Sequence, residues 1–356
     1  MAPRSAHNPN RNAWRRLRRN KGAMGGLIVI VLSLLTAVFC YLVAPDSSPN
    51  ANRMIIEIGG QKPGYTQQFL KIPRERKIED ASFVSRIISG KEDRYQYVPI
   101  TDYETKNDSV VVHKYIDEGV SERTAFAGTQ LGVETMRFHL GTDKYGRDIL
   151  SRLLVGVRVS LGVGLVTVLI SLSIGVLLGA LAGYYRGWID DVVMWFINVI
   201  WSIPTLLLVF AITLVLGKGF WQVFIAIGLT MWVNVARIIR GQILSIRERE
   251  YVEAARALGF TATRIIVRHI LPNVMGPVLV VAASNFATAI VIEAGLSFLG
   301  VGVQPPQPSW GLMIKENYNF IITHNPMLAI APGIAIMILV LAFNLLGNGL
   351  RDAITD

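Results

Sequence analysis

The sequence predicts an all-α polytopic membrane protein of six transmembrane helices, with a small, largely β insert between the first and the second. Three observations carry this. The 356 residues are 52% hydrophobic and only 17% charged, whereas a soluble domain carries about a quarter charged residues. The apolar residues cluster in six runs, each close to the roughly 20 residues that cross a bilayer. The net charge of +10 is concentrated in two places. Residues 1–21 carry Arg4, Arg11, Arg15, Arg16, Arg18, Arg19 and Lys21 with no acid, and residues 237–271 carry seven arginines against Glu248, Glu250 and Glu253. The stretch 45–157 balances sixteen basic against sixteen acidic residues. Membrane topology distributes charge in this way, so the basicity does not call for a nucleic-acid partner.

The basic segment 1–23 is expected to stay in the cytoplasm. The first run, 24–44, has no charge and is longer than a signal-peptide core, and no A-x-A-like site follows it, so it reads as an uncleaved anchor. Cys40, the one cysteine, excludes an internal disulfide. Ala37-Val38-Phe39 lacks the small residue expected ahead of a lipidated cysteine, so Cys40 reads as a buried apolar side chain.

The insert, 45–140, is polar and charged with both signs. Runs 54–58, 95–100 and 109–113 favour strand, and Gly59-Gly60, Pro63-Gly64 and Asn107-Asp108 mark turns. It is expected outside the membrane, touching a substrate-delivery protein, capping the transporter, or forming a partly ordered loop with no specific role.

Residues 141–356 form the main membrane domain, with runs 159–183, 192–216, 220–239, 273–299 and 327–347. In the first of these, Gly175, Gly179 and Gly183 share one helical face and predict close packing against another helix. Pro204 is expected to kink the second. Glu293, an acid within the fifth span, is a pathway or gate candidate by default. It lies about 20 residues into its helix, which places it near the outer interface within reach of water. The six spans put both termini and the basic loop 240–271 in the cytoplasm. Ahead of 159, Asp143, Arg147, Asp148 and Arg152 are read as an exposed ion-pair set of little energetic weight.

The loop 240–271 is the most informative segment. Residues 247–258 favour helix, Gly259 can end that helix in a left-handed conformation, residues 262–271 can form a second helix, and Pro272-Asn273 opens the fifth span. The expected product is a rigid knob. Ala254 and Ala255 would keep one side small enough to enter a groove, and Glu253 and Arg256 would pair or meet a partner's rim. His269 has no second ligand nearby, which argues against a metal.

Glu253-Ala254-Ala255, Gly259 and Leu271-Pro272 stand at the spacing of the EAA loop of ATP-binding-cassette (ABC) importer permeases, and the segment resembles that loop. His269 fills the slot of an isoleucine, in the R-H-I-L-P-N form of peptide-type members. Gly141-Thr142-Asp143, Gly146-Arg147-Asp148 and Ser151-Arg152, with Gly156-Val157-Arg158 after them, resemble the segment before the second span of oligopeptide, dipeptide and nickel permeases. Residues 297–311 resemble their loop after the fifth span. The resemblance covers 1–44 and 141–356 and is to the "C" type of permease.

It implies the type I importer fold and a place in the bacterial inner membrane. It also implies half of a translocation pathway for peptides, or alternatively for nickel or another small solute. The implied partners are a "B"-type permease, two cytoplasmic ATPases that bind ATP and Mg, an extracytoplasmic binding protein, and lipid. The chain itself has no G-x-x-x-x-G-K-[ST] phosphate cradle, since neither Lys91 nor Lys218 is followed by Ser or Thr, and no nucleophile constellation. A self-contained secondary transporter would need paired repeats and several midplane ionisable residues, and a receptor or scaffold would leave five spans unexplained.

Overall fold

The structure, a computed structural model, describes residues 9–76, 78, 82–106, 109–127, 131–323 and 325–355. Contacts divide the chain into two units. One holds Met1–Ser33, Ser160–Gln304 and Ile336–Asp356, and the other Leu34–Val159 and Pro305–Ala335.

The helices of the membrane domain follow the apolar runs. After a basic helix α1 (Pro9–Arg19), α2 (Lys21–Val43) is the first candidate span. Past the insert come α4 (Ile149–Tyr185), α5 (Gly187–Trp201), α6 (Thr205–Leu216) and α7 (Phe220–Ile246). Next come α8 (Glu250–Ala257), α9 (Ala262–Ile265), a π-helical turn (Ile266–Ile270) and α10 (Leu271–Leu299). α11 (Trp310–Asn317), α12 (Phe320–Thr323) and α13 (Met327–Thr355) complete the chain. Five of these are long and apolar enough to cross a membrane: α2, α4, α7, α9 with α10, and α13.

The run 192–216, expected as one kinked span, is a broken pair. α5 and α6 meet at 93°. Pro204 cannot donate to the preceding turn, and Ser202 and Ile203 leave the helix ahead of it.

Within the first unit, α1 folds back on the end of α13. Leu17 and Ala23 bury against Ala353 and Leu350, and Asn20 Nδ2 donates to Asp352. The central packing is α4 on α7, α5 on α7, and α10 on α7.

In the second unit the insert forms a five-stranded antiparallel sheet. Its strands are β1 (Tyr65–Pro73), β2 (Tyr95–Lys106), β3 (Ser109–Asp117), β4 (Val120–Ala127) and β5 (Gly132–Phe138), in the order β4-β3-β2-β1-β5. A short helix α3 (Phe83–Ser89) joins β1 to β2. Successive β1 residues Phe69 and Leu70 point to opposite faces, and both are fully buried, each in its own apolar cluster. The expected turns at Gly60 and Gly64 have positive φ, while Asn107-Asp108 lies outside the described residues.

The strand expected at 54–58 is absent. Ile56–Ile58 forms a 3-10 turn because tertiary bonds claim its flanks: Ile55 N donates to Tyr145 O and Gly60 N to Asp143 O. Local β propensity yields to such context. Gly146, at φ +72°, lets its backbone press against the Ile55 carbonyl, where a Cβ would collide.

The charged segment before α4 also differs from expectation. Asp143, Arg147 and Arg152 are almost completely buried. Arg147 Nε donates to Asp143 at 2.6 Å, and its Nη2 donates at 2.7 Å to Glu316 on α11. Arg152 shares Glu316 at 3.4 Å. Burial pushes the Asp148 carboxyl up, opposed by the Ser151 amide and hydroxyl that donate to it. The set is a buried network completed by Glu316, a residue 169 positions away from Arg147.

Candidate functional site

The loop 240–271 is built on a Schellman turn. Gly259 N donates to Arg256 O at 3.0 Å and Phe260 N to Ala255 O at 3.1 Å, which satisfies the last carbonyls of α8 and requires a left-handed residue between them. Gly259 supplies it at φ +77°, with open space where a Cβ would stand. Thr261 then caps α9 by accepting from Arg264 N.

Two forces seat this turn. Val252 and Ala255, one helical turn apart, bury with Ile239 and Ile243 of α7, Ile265 and Ile270, and Val274 of α10. Phe260 lies between Arg264, whose guanidinium is 4.0 Å from its ring, and His269, whose ring stacks on it at 5.9 Å. Sequence reading gave Phe260 no role. The signal was present in the nine-residue separation of two rings, the first of them directly after the glycine turn.

Ala254 and Ala255 do not share one outward side. Ala255 is buried in the chain's own core, whereas Ala254 is exposed, because residues one apart on a helix diverge by about 100°. The outward face of α8 consists of Glu250, Glu253, Ala254 and Ala257, followed by Leu258 at 73% exposure. Arg256 turns to the Tyr184 ring, 5.7 Å away, rather than to Glu253. Arg247 donates to the Tyr184 carbonyl at 2.6 Å, and burial, with Arg186 and Arg256 nearby, lowers its affinity for its proton.

Leu271 packs at the edge of the same cluster. Pro272 has no N–H to return to the preceding turn, and the helix ahead of it widens to π geometry over Ile266–Ile270. Asn273 Nδ2 donates to His269 O at 2.7 Å and to the Tyr251 hydroxyl at 3.3 Å, which fastens α10 to α8.

Gly175, Gly179 and Gly183 lie against α7. A Cβ on them would stand 2.4 Å from Val235 Cβ, 2.5 Å from Ala236 O and 2.9 Å from Arg240 O respectively. Glu293 does not reach water from this chain: it is 1% exposed. Ser297 Oγ donates to its Oε1 at 2.6 Å and accepts from Val303 N at 3.0 Å, so the carboxylate holds the loop that leaves α10. A cavity at the α5–α6 break, about 470 Å³, is lined by Trp201, Thr205, Asn234, Thr288 and Ile292 among others, but not by Glu293.

A profile described as the binding-protein-dependent transport system inner membrane component matches residues 175–356, and one described as the N-terminal TM domain of oligopeptide transport permease C matches 8–62. The glutathione transport system permease protein GsiD of Pectobacterium atrosepticum is 42% identical over 215 residues, 60% of this chain and 71% of that protein. The dipeptide transport system permease protein DppC of Alkalihalophilus pseudofirmus is 42% identical over 214 residues, 60% of this chain and 70% of that one. The oligopeptide transport system permease protein OppC of Bacillus subtilis is 41% identical with the same coverage. A solved structure titled for inward facing conformations of the MetNI methionine ABC transporter aligns at TM-score 0.48 and 22% identity over 56% of this chain and 96% of that one. The first profile takes in the glycine face, the whole loop 240–271 and every later helix, and the chain belongs to the binding-protein-dependent transport system inner membrane components, as an ABC importer permease of the oligopeptide and dipeptide "C" type.

Proposed function

We propose that this permease imports peptides across a bacterial inner membrane and is driven by ATPases that grip its α8 knob. A related "B"-type permease supplies the other half of the pathway, two cytoplasmic ATPases bind ATP and Mg, and an extracytoplasmic binding protein delivers cargo. The observation that carries the reading is the division of α8 into two faces. Val252 and Ala255 root it in the α7 and α10 core, while Ala254, Ala257 and Leu258 form an apolar tip rimmed by Glu250 and Glu253. An exposed apolar tip on a rooted helix fits a groove on a partner. The Gly259 turn sets the angle at which it enters.

Parity of the spans supports both termini being on one side. α1 packs on the end of α13, which favours an even number of crossings. Five straight candidates plus the α5–α6 pair, counted as one crossing, give six. Charge asymmetry names that side the cytoplasm. Peptide cargo is supported by relatives named for dipeptide, oligopeptide and glutathione transport.

The test is reconstitution of the full importer with Leu258→Glu in this chain. The variant should insert in the membrane yet lose copurifying ATPase, and the unaltered complex should hydrolyse ATP faster with peptides than with nickel salts. ATPase retained at full stoichiometry by Leu258→Glu would remove the docking role, and stimulation by nickel alone would assign the cargo to the other class.

A further inference from the structure

The short helix α3 (Phe83–Ser89) of the insert exposes an apolar face that the chain leaves uncovered. Phe83, Val84 and Ile88 are 62%, 61% and 61% exposed. At about 100° per residue, Phe83, Ile87, Val84 and Ile88 fall in one arc of about 140°, and Ser85, Ser89 and Arg86 fill the opposite side. Three large apolar side chains on seven residues are an unusual thing to show to water, and their segregation from every polar residue marks a surface with two media.

The position of α3 is fixed against the last turns of α2. Arg158, on α4, donates from Nη1 to Ile88 O at 2.6 Å and from Nη2 to Ile87 O at 2.9 Å. The same guanidinium donates to Ala37 O at 2.9 Å and to Val38 O at 3.2 Å on α2, and it lies 5.2 Å from the Tyr41 ring. Gly90, at φ +79°, brings the end of α3 under Ser47 O and the Tyr41 ring so closely that a Cβ would stand 2.6 Å and 3.0 Å from them. Lys91 N donates to Ser47 O at 2.8 Å. One side chain therefore holds the carbonyl end of α3 level with Ala37 and Val38.

That level lies inside the bilayer. Val38 is five residues before the end of α2, about 8 Å along its axis, and a 23-residue helix is about 35 Å long against a hydrocarbon core of about 30 Å. The α2 side chains around it, Leu34, Leu35, Val38, Phe39, Leu42 and Val43, are exposed and apolar, as a lipid-facing surface requires. Arg158 holds the exposed apolar residues of α3 beside this part of α2.

The geometry points to α3 as an interfacial membrane helix: Phe83, Val84 and Ile88 enter the acyl region of the leaflet at the C-terminal end of α2, and Ser85, Arg86 and Ser89 face the headgroups. Helices of this kind sink about 5–10 Å, which matches the depth set by Arg158. The occupant of the face is lipid, because the face is held beside a transmembrane helix at its depth. Only the name of the leaflet, the outer one, rests on the orientation proposed above.

The test uses the assembled transporter in phospholipid nanodiscs, with Cys40→Ala as background and a nitroxide at Phe83→Cys, Ile88→Cys, Ser85→Cys or Ser89→Cys. All four sites are exposed in the chain, so no internal packing is lost. Oxygen should relax the labels at 83 and 88 while a water-soluble nickel chelate does not, and the order should reverse at 85 and 89. Equal collision of the chelate with all four would put α3 in water and overturn the proposal. Shielding of 83 and 88 that arises only when the binding protein is added would assign the face to that protein and overturn it equally. Neither result depends on which side of the membrane α3 occupies or on whether α8 docks an ATPase.

Discussion

The imidazole of His269 stacks on the ring of Phe260 with centroids 5.9 Å apart and planes 15° apart. The contact joins the residue after the Gly259 turn to the last turn before α10, and so ties the turn to the start of that span. Such ring pairs contribute about 0.5–1.5 kcal/mol beyond buried area. His269→Ala should loosen the turn by about 1 kcal/mol and reduce substrate-stimulated ATP hydrolysis, while His269→Phe should keep it. Equal loss in both variants, measured in the reconstituted importer, would mean that the imidazole acts by something other than stacking.

At Gly259 the cost of a side chain is conformational alone, because nothing lies within 4 Å of the Cβ position. Gly259→Ala should destabilise the turn by about 1–2 kcal/mol and leave partial coupling. Gly259→Val adds a β-branch to the same left-handed residue and should abolish stimulated hydrolysis, with the chain still inserted. Uptake and hydrolysis assayed side by side decide this, and full activity of the valine variant would remove the loop from the coupling path.

The glycine face of α4 calls for a steric rather than a conformational test. Gly179→Leu places a side chain where the Ala236 carbonyl stands 2.5 Å from the first added carbon. Overpacking of this kind costs about 1–3 kcal/mol or more, and the yield of folded chain should fall. Gly162→Ala, on the same helix with no atom within 4 Å, should be silent. Thermal unfolding of the purified chain in detergent compares them.

Glu316 is the acid shared by two buried arginines. Removing one member of a buried ionic set leaves uncompensated charge, worth about 3–5 kcal/mol. Glu316→Gln should therefore lower the unfolding temperature more than Lys71→Gln, which breaks a half-exposed pair on the sheet. Equal effects would show that water reaches the Arg147 cluster.

The parts legible in the sequence were those set by local length and composition. Five of the six apolar runs gave single spans while 192–216 broke into two helices ahead of Pro204, and the E-A-A and glycine spacing gave the helix and turn of the loop, because a helix and its Schellman cap are decided by neighbours along the chain. What was missed depends on partners far away in sequence. Ile56–Ile58 looks like strand until Tyr145 and Asp143 take its flanking bonds. The Arg147 set looks exposed until Glu316 arrives from 169 residues on. Glu293 looks near water until Ser297 and Val303 close over it. Ala255 looks outward because E-A-A is adjacent in sequence, until helical geometry turns its second alanine into the core.

The four carbonyls held by Arg158 make the insert hard to remove. A deletion of 45–140 would take away Ile87 and Ile88 and leave the Arg158 guanidinium with only the Ala37 and Val38 carbonyls of these four. A charge that loses half of its hydrogen-bond partners costs stability. The seam between the insert and the helices thus runs through one residue of α4, and grafting the insert onto another permease, or cutting it from this one, requires residue 158 to change with it.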